Sequence, residues 1–191
     1  KYLNVARETI LNSFKVKNYK VYFTGSSTEA NNLAIKGYCY KHSNRGKHII
    51  TSIYEHPSVL EAFEFLKREL GFEVTYLPVS SVGKVDISNL QKSITDDTIL
   101  VSIMGVNNEI GAINNIEEIA NLLKSYPKIA FHVDAVQALG KIKQDYSNVD
   151  LITITAHKIH GPRGIGALVK RKNLRIKDII FYDIFYKLTA G

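Results

Sequence analysis

Five stretches of the sequence combine residue types that could act on a ligand, and each follows an apolar run. In Gly25-Ser26-Ser27-Thr28-Glu29, hydroxyls sit where a helix begins, beside amides that lack intrahelical acceptors, a setting suited to a phosphate. Ser26 and Glu29 are also spaced as a capping box, which needs no ligand. In Glu55-His56-Pro57, the proline suits the first turn of a helix, so His56 falls at a strand-to-helix junction. There it could serve as a cap or, in a cleft, stack on a flat ring and shuttle protons. Val106-Asn107-Asn108-Glu109-Ile110-Gly111 reads as a polar turn or, at the end of a central strand, as a ligand contact. In His132-Val133-Asp134-Ala135-Val136-Gln137, Asp134 ends a strand and Gln137 follows one short turn later. A carboxylate there caps a helix, or it keeps a ring nitrogen protonated, because an opposite charge nearby favours the charged form. Last come Thr153-Ile154-Thr155-Ala156-His157-Lys158 and Gly161-Pro162-Arg163-Gly164-Ile165-Gly166. A lysine ending an apolar strand is expected to be desolvated, which lowers its pKa and makes the amine a nucleophile able to form a Schiff base with an aldehyde.

Each stretch alone has a plainer structural reading. Together, a phosphate cradle, a ring-stacking histidine, an acid for a pyridine nitrogen and a strand-end lysine describe one ligand, pyridoxal 5'-phosphate. Its protonated ring is an electron sink.

The elements that must position these residues alternate in period. Helical patterns cover residues 4–17, 28–42, 57–70, 86–93 and 116–125. Strand-like runs cover 20–24, 48–52, 73–77, 98–104, 129–133, 150–155 and 167–169. Several strands are apolar throughout, as in a sheet buried on both faces, so the expected class is α/β, a mostly parallel sheet flanked by helices. In such sheets ligands bind beyond the carboxyl ends of the strands, where the five stretches lie.

With 191 residues, one domain is expected. A content of 45% hydrophobic and 23% charged residues is that of a globular protein. No apolar run reaches the roughly 18 residues of a membrane span, and Lys1-Tyr2-Leu3-Asn4 shows no signal-peptide pattern. The single cysteine, Cys39, excludes an internal disulfide and suits a reducing compartment, so a cytoplasmic location is expected. The formal charge of +7 is spread along the chain without zinc-finger spacing or an RNA-binding aromatic signature. A solvated basic surface is expected rather than nucleic-acid binding, and neither a membrane nor a metal is an expected partner.

The stretches Thr28-Glu29-Ala30-Asn31-Asn32-Leu33-Ala34-Ile35-Lys36-Gly37, Glu55-His56, Asn107-Asn108-Glu109-Ile110-Gly111, His132-Val133-Asp134-Ala135-x-Gln137 and His157-Lys158-x-x-Gly161-Pro162 resemble class V aminotransferases. Within that group they are similar to pyridoxal-phosphate-dependent cysteine desulfurases of the NifS/IscS type, in order and in spacing, from about residue 5 to about residue 171. The resemblance implies the large domain of a fold-type I pyridoxal-phosphate enzyme. It implies that Lys158 holds the cofactor and moves the substrate's α-proton, and that His56 stacks on the ring and assists proton transfer. It further implies that Asp134 pairs with the ring nitrogen, that Asn108 and Gln137 contact the ring oxygen or substrate, and that Ser27, Thr28, Thr155 and His157 hold the phosphate.

For the parent protein the resemblance implies conversion of L-cysteine to L-alanine, with sulfur passed through an enzyme cysteine to an iron–sulfur scaffold or another sulfur-acceptor protein. It also implies a homodimer. The family's sulfur-accepting cysteine and carboxylate-binding arginine belong to regions outside these residues. Cys39, within the 28–42 helix, is expected to be a buried small hydrophobe. Little or no turnover is therefore expected of the chain by itself. Residues 1–181 are read as the partial large domain without the small domain, and 182–191 as an atypical tail. Two alternatives stay open. One is another class V enzyme, acting by transamination or elimination. The other is a cofactor-binding or interaction module without catalysis.

Overall fold

The structure, a computed structural model, describes residues 2–177, so the 182–191 tail and the domain boundary expected after residue 181 lie outside the described residues. In chain order the elements are α1 (Tyr2–Phe14), β1 (Tyr19–Thr24), α2 (Ser27–His42), β2 (His48–Ser52), α3 (Pro57–Leu70), β3 (Glu73–Leu77) and α4 (Ile87–Ser93). They continue with β4 (Thr98–Ser102), α5 (Ile116–Leu123), β5 (Ala130–Asp134), β6 (Leu151–Thr155), a short 3₁₀ turn (Ala156–Ile159) and β7 (Gly166–Arg171). Seven strands form one sheet in the order β1-β7-β6-β5-β4-β2-β3. Only β7 runs against its neighbours, pairing antiparallel with β1 and β6, so the expected mostly parallel α/β sheet is the observed fold.

Every residue of β2, β4, β5 and β6 is buried, which explains why these strands read as unbroken apolar runs. Successive side chains leave opposite faces. Ile49, Leu100, Ala130, Leu151 and Leu168 meet α2 and α3, while Ile50, Val101, Phe131, Val133 and Val169 meet α5 and the end of α1. Full burial of a side chain such as Phe63 or Leu66 contributes roughly 1.5–3 kcal/mol, so the α2–α3 layer is anchored firmly to the sheet. Cys39 lies in that layer with no exposure, and burial pushes its thiol pKa up, so it is the small core residue expected.

Helix starts follow local chemistry. The Ser26 hydroxyl accepts from the Glu29 amide, His56 Nδ1 accepts from the Ser58 amide with Pro57 behind it, and Asn115 Oδ1 accepts from the Glu118 amide. Several limits differ from the sequence expectation. The first helix spans 2–14 rather than 4–17, because Lys15 turns to a φ of 54°. Val5 on this helix is exposed, leaving Phe14 as its buried residue. The strand expected over 129–133 is shifted by one, which brings Asp134 inside β5. Among the described residues no helix is long and apolar enough to cross a membrane.

Candidate functional site

The carboxyl ends of β4, β5 and β6 open onto a cavity of about 380 Å³. Ser27, Thr28, His56, Asn108, Asp134, Gln137, His157 and Lys158 line it, with Ser26, Met104 and Val136. Five stretches, with lining residues from Ser26 to Lys158, 132 positions apart along the chain, therefore meet at one place, with a single expected residue, Thr155, outside the lining.

One wall is buried and closed by hydrogen bonds. Asp134 Oδ2 accepts from Asn31 Nδ2 at 2.9 Å, and Oδ1 accepts from the Val136 amide at 3.0 Å. Burial pushes the Asp134 carboxyl up, while Asn31, the Val136 amide and His56 pull it back. A cation brought into the cavity would relieve that strain on the charge. Asn31 Nδ2 also donates to Ser58 Oγ at 2.9 Å, and Ser58 Oγ lies 2.8 Å from His56 Nδ1. Beneath this wall, Glu55 Oε1 accepts from Ser52 Oγ and from the Met104 amide, both at 2.9 Å, which ties the loop after β2 to the loop after β4. Its Oε2 is buried without a partner among the described residues, and burial raises the carboxyl to about 8. Asn107 reinforces the same join, donating to Tyr54 O and accepting from the Glu109 and Ile110 amides, which turns Asn108 towards the cavity side of the loop.

The phosphate-like cradle lies at the start of α2. Glu29 completes only part of the expected capping box, because its carboxylate takes the Gly25 amide at 2.8 Å rather than that of Ser26. The amides of Ser27 and Thr28 are the first of the helix and have no acceptor in the preceding turn. The start of β7 passes so close that a Cβ on Gly166 would fall 2.4 Å from the Ser26 carbonyl carbon. Glycine there permits β7 and the cradle to touch.

The remaining wall is open. Lys158 sits in the 3₁₀ turn after β6, exposed, and is not the buried strand-end lysine that the apolar run suggested. The correction is geometric: β6 ends at Thr155, and the turn lifts Ala156–Ile159 out of the sheet. Thr155 stays below, donating to Ile165 O at 3.1 Å with its oxygen 3.0 Å from His157 Nδ1. It steadies His157 rather than facing the cavity. Gln137 Oε1 accepts from Lys141 at the cavity edge.

Asn31 and Glu55 lie within stretches singled out from the sequence, but the sequence assigns neither a role in the site, and it does not point to Ser58. A legible sign existed for Asn31, a polar residue one turn before Ala34 and Ile35 on the apolar face of α2. Ser58, inside an ordinary helix start, gave none.

This donor set suits a flat, phosphorylated, cationic ring: amides for an anion, a buried carboxylate for a protonated nitrogen, and an amine at the rim. A cysteine desulfurase IscS from Dictyoglomus turgidum is 50% identical over 177 residues, 92% of this chain and 44% of that protein. A NifS/IcsS protein homolog from Lactobacillus delbrueckii is 49% identical over 89% of this chain and 45% of its own length. Among solved structures, a NifS-like protein has a TM-score of 0.86 at 38% identity, covering 92% of this chain and 49% of that one. SspA in complex with cysteine gives 0.85 at 36%, covering 92% and 51%. The chain thus spans about half the length of the relatives it matches. The family model described as Aminotransferase class-V matches residues 1–177, and the chain belongs to that family.

Proposed function

We propose that this chain is the cofactor-binding large domain of a pyridoxal-phosphate-dependent cysteine desulfurase. The observation that carries the reading is the buried Asp134 carboxylate in the cavity whose other sides are the α2 amides and the Lys158 amine. The relatives named cysteine desulfurase, and the similarity to a protein solved with cysteine, favour L-cysteine as the substrate of the whole protein.

In this reading Ser27 and Thr28 hold the phosphate through the free amides of α2, with His157 and, through it, Thr155 closing the other side. Asp134 holds the protonated ring nitrogen, His56 covers the ring face, and Asn108 and Gln137 meet the ring oxygen or the substrate. Lys158 binds the cofactor covalently and moves the α-proton. When bound, the cofactor supplies a sink for the electron pair left on the substrate carbon.

The parent protein would leave sulfur on a cysteine outside this chain and deliver it to an iron–sulfur scaffold or another sulfur-acceptor protein. It would work as a cytoplasmic homodimer. The chain's single cysteine, Cys39, is buried in the α2 layer and cannot take that role, so the isolated chain is expected to release little or no sulfide from L-cysteine.

The test is a visible absorption spectrum of the chain with pyridoxal phosphate. A Schiff-base band that borohydride abolishes and that Lys158→Ala lacks supports the reading. A band that persists in Lys158→Ala, or none in either protein, refutes the cofactor assignment for this chain.

A further inference from the structure

The bonds between Asp134 and His56 have a direction. Both carboxylate oxygens of Asp134 accept N–H groups, one from Val136 and one from Asn31, as an ionised group does. This fixes the Asn31 amide. Its nitrogen faces Asp134 and Ser58, while its Oδ1 is left buried without a partner among the described residues. The opposite orientation would set two acceptors, Asn31 Oδ1 and the carboxylate, against each other. Ser58 Oγ, already accepting from Asn31, has one hydrogen to give, and His56 Nδ1 stands 2.8 Å away. The same ring nitrogen accepts from the Ser58 amide at 3.1 Å. A nitrogen that accepts twice carries no proton, so the imidazole proton resides on Nε2.

We propose that Asn31 and Ser58 are positioning residues that transmit the charge of Asp134 to His56, fixing its ring and leaving an N–H donor at Nε2 for a ligand in the cavity. His56 therefore meets an acceptor first, such as a ring hydroxylate, carboxylate or thiolate oxygen or sulfur, and is not poised to remove a proton as its opening act. The identity of that ligand rests on the cofactor reading above; the chain of bonds does not. The orphaned Asn31 Oδ1 is the mark of the arrangement. Burying a bare carbonyl is unfavourable, and it is tolerated here because turning the amide would break both of its donated bonds.

The experiment reads the His56 ring nitrogens by long-range proton–nitrogen NMR of the labelled chain without cofactor, assigned through His56→Gln. Expected is an unprotonated Nδ1 and a protonated Nε2. Ser58→Ala, which leaves only the longer bond from the residue-58 backbone amide to hold Nδ1, and Asn31→Leu, each with the remaining amide spectrum preserved, should raise the Nδ1–H form at least severalfold from its low starting fraction. Ser58→Thr, which keeps the hydroxyl, should retain the parent pattern. A protonated Nδ1 in the parent chain, loss of the pattern in Ser58→Thr, or an unchanged pattern in either truncation overturns the proposal. Because no cofactor is added, failure of the chain to bind pyridoxal phosphate would leave this result standing. Cofactor binding alongside a protonated Nδ1 would sink this inference alone.

Discussion

The two walls of the cavity are built on different terms. On the α2–α3 side, Asp134, Asn31 and Ser58 are buried and bonded to one another, and Glu55 is locked beneath them. On the other side, Lys158, His157 and Asn108 are exposed, and the turn that carries Lys158 is held mainly through Thr155 and the backbone. The buried wall pays for its order with desolvated carboxyls and an orphaned carbonyl, and in return its charge and hydrogen atoms point one way before any ligand arrives. The open wall carries the Lys158 amine with little preorganisation. In the proposed reading, recognition would fall to the sheet and chemistry to a loop, a division that would leave the lysine free to move between partners.

The comparison predicts that substitutions in the buried wall act strongly and those in the open wall weakly. The largest effect is expected at Glu55. Its carboxyl titrates near 4.5 when unfolded and at about 8 in the fold. Between those values the folded state holds the extra proton, so stability falls as pH rises through the window and levels off above it. Glu55→Gln keeps the acceptor for Ser52 and Met104 but carries no charge. It should flatten that slope and stabilise the chain at pH 9 by on the order of 5 kcal/mol, read by denaturant unfolding at pH 5 and pH 9. A parallel pH dependence in both proteins would remove Glu55 from the buried wall's account.

Next is Asp134→Ala, which strips the acceptor from Asn31 and the Val136 amide. Pyridoxal phosphate affinity should fall by roughly tenfold to a hundredfold, the equivalent of one or two charge-assisted hydrogen bonds, in a fluorescence titration. Gly166→Ala tests the seam between the walls. The added Cβ meets the Ser26 backbone, which cannot swing aside as a side chain could, so a loss of about 1–3 kcal/mol is expected in thermal unfolding. Smallest is Gln137→Ala, where a half-exposed side chain bonded to Lys141 is removed. Stability should change by less than about 0.5 kcal/mol, and a larger loss would show that the open wall is more ordered than its bonds indicate.

Much of this arrangement was legible in the chain itself. Runs such as Thr98-Ile99-Leu100-Val101 can be buried on both faces only in a covered sheet, and Ser26, Pro57 and Asn115 mark helix starts by their own chemistry. The stretches that supply most of the cavity lining could be marked from position alone, because the ends of parallel strands lie together on one edge. Lys158 shows where that reasoning stops. An apolar strand reads as burial for the residue after it, yet a single 3₁₀ turn reverses the outcome, and the reversal is encoded in how Gly161 to Gly166 returns the chain to β7.

By itself, the sequence determined most of the secondary structure, the sheet class and the polar stretches that the fold gathers at one cavity, since these depend on local propensity and on short-range spacing. Only the tertiary structure decided that Asn31 and Ser58, 27 positions apart, join Asp134 to His56. Hydrogen-bond direction depends on which donors face which acceptors once helix α2 is laid across β5. No spacing along the chain contains that information.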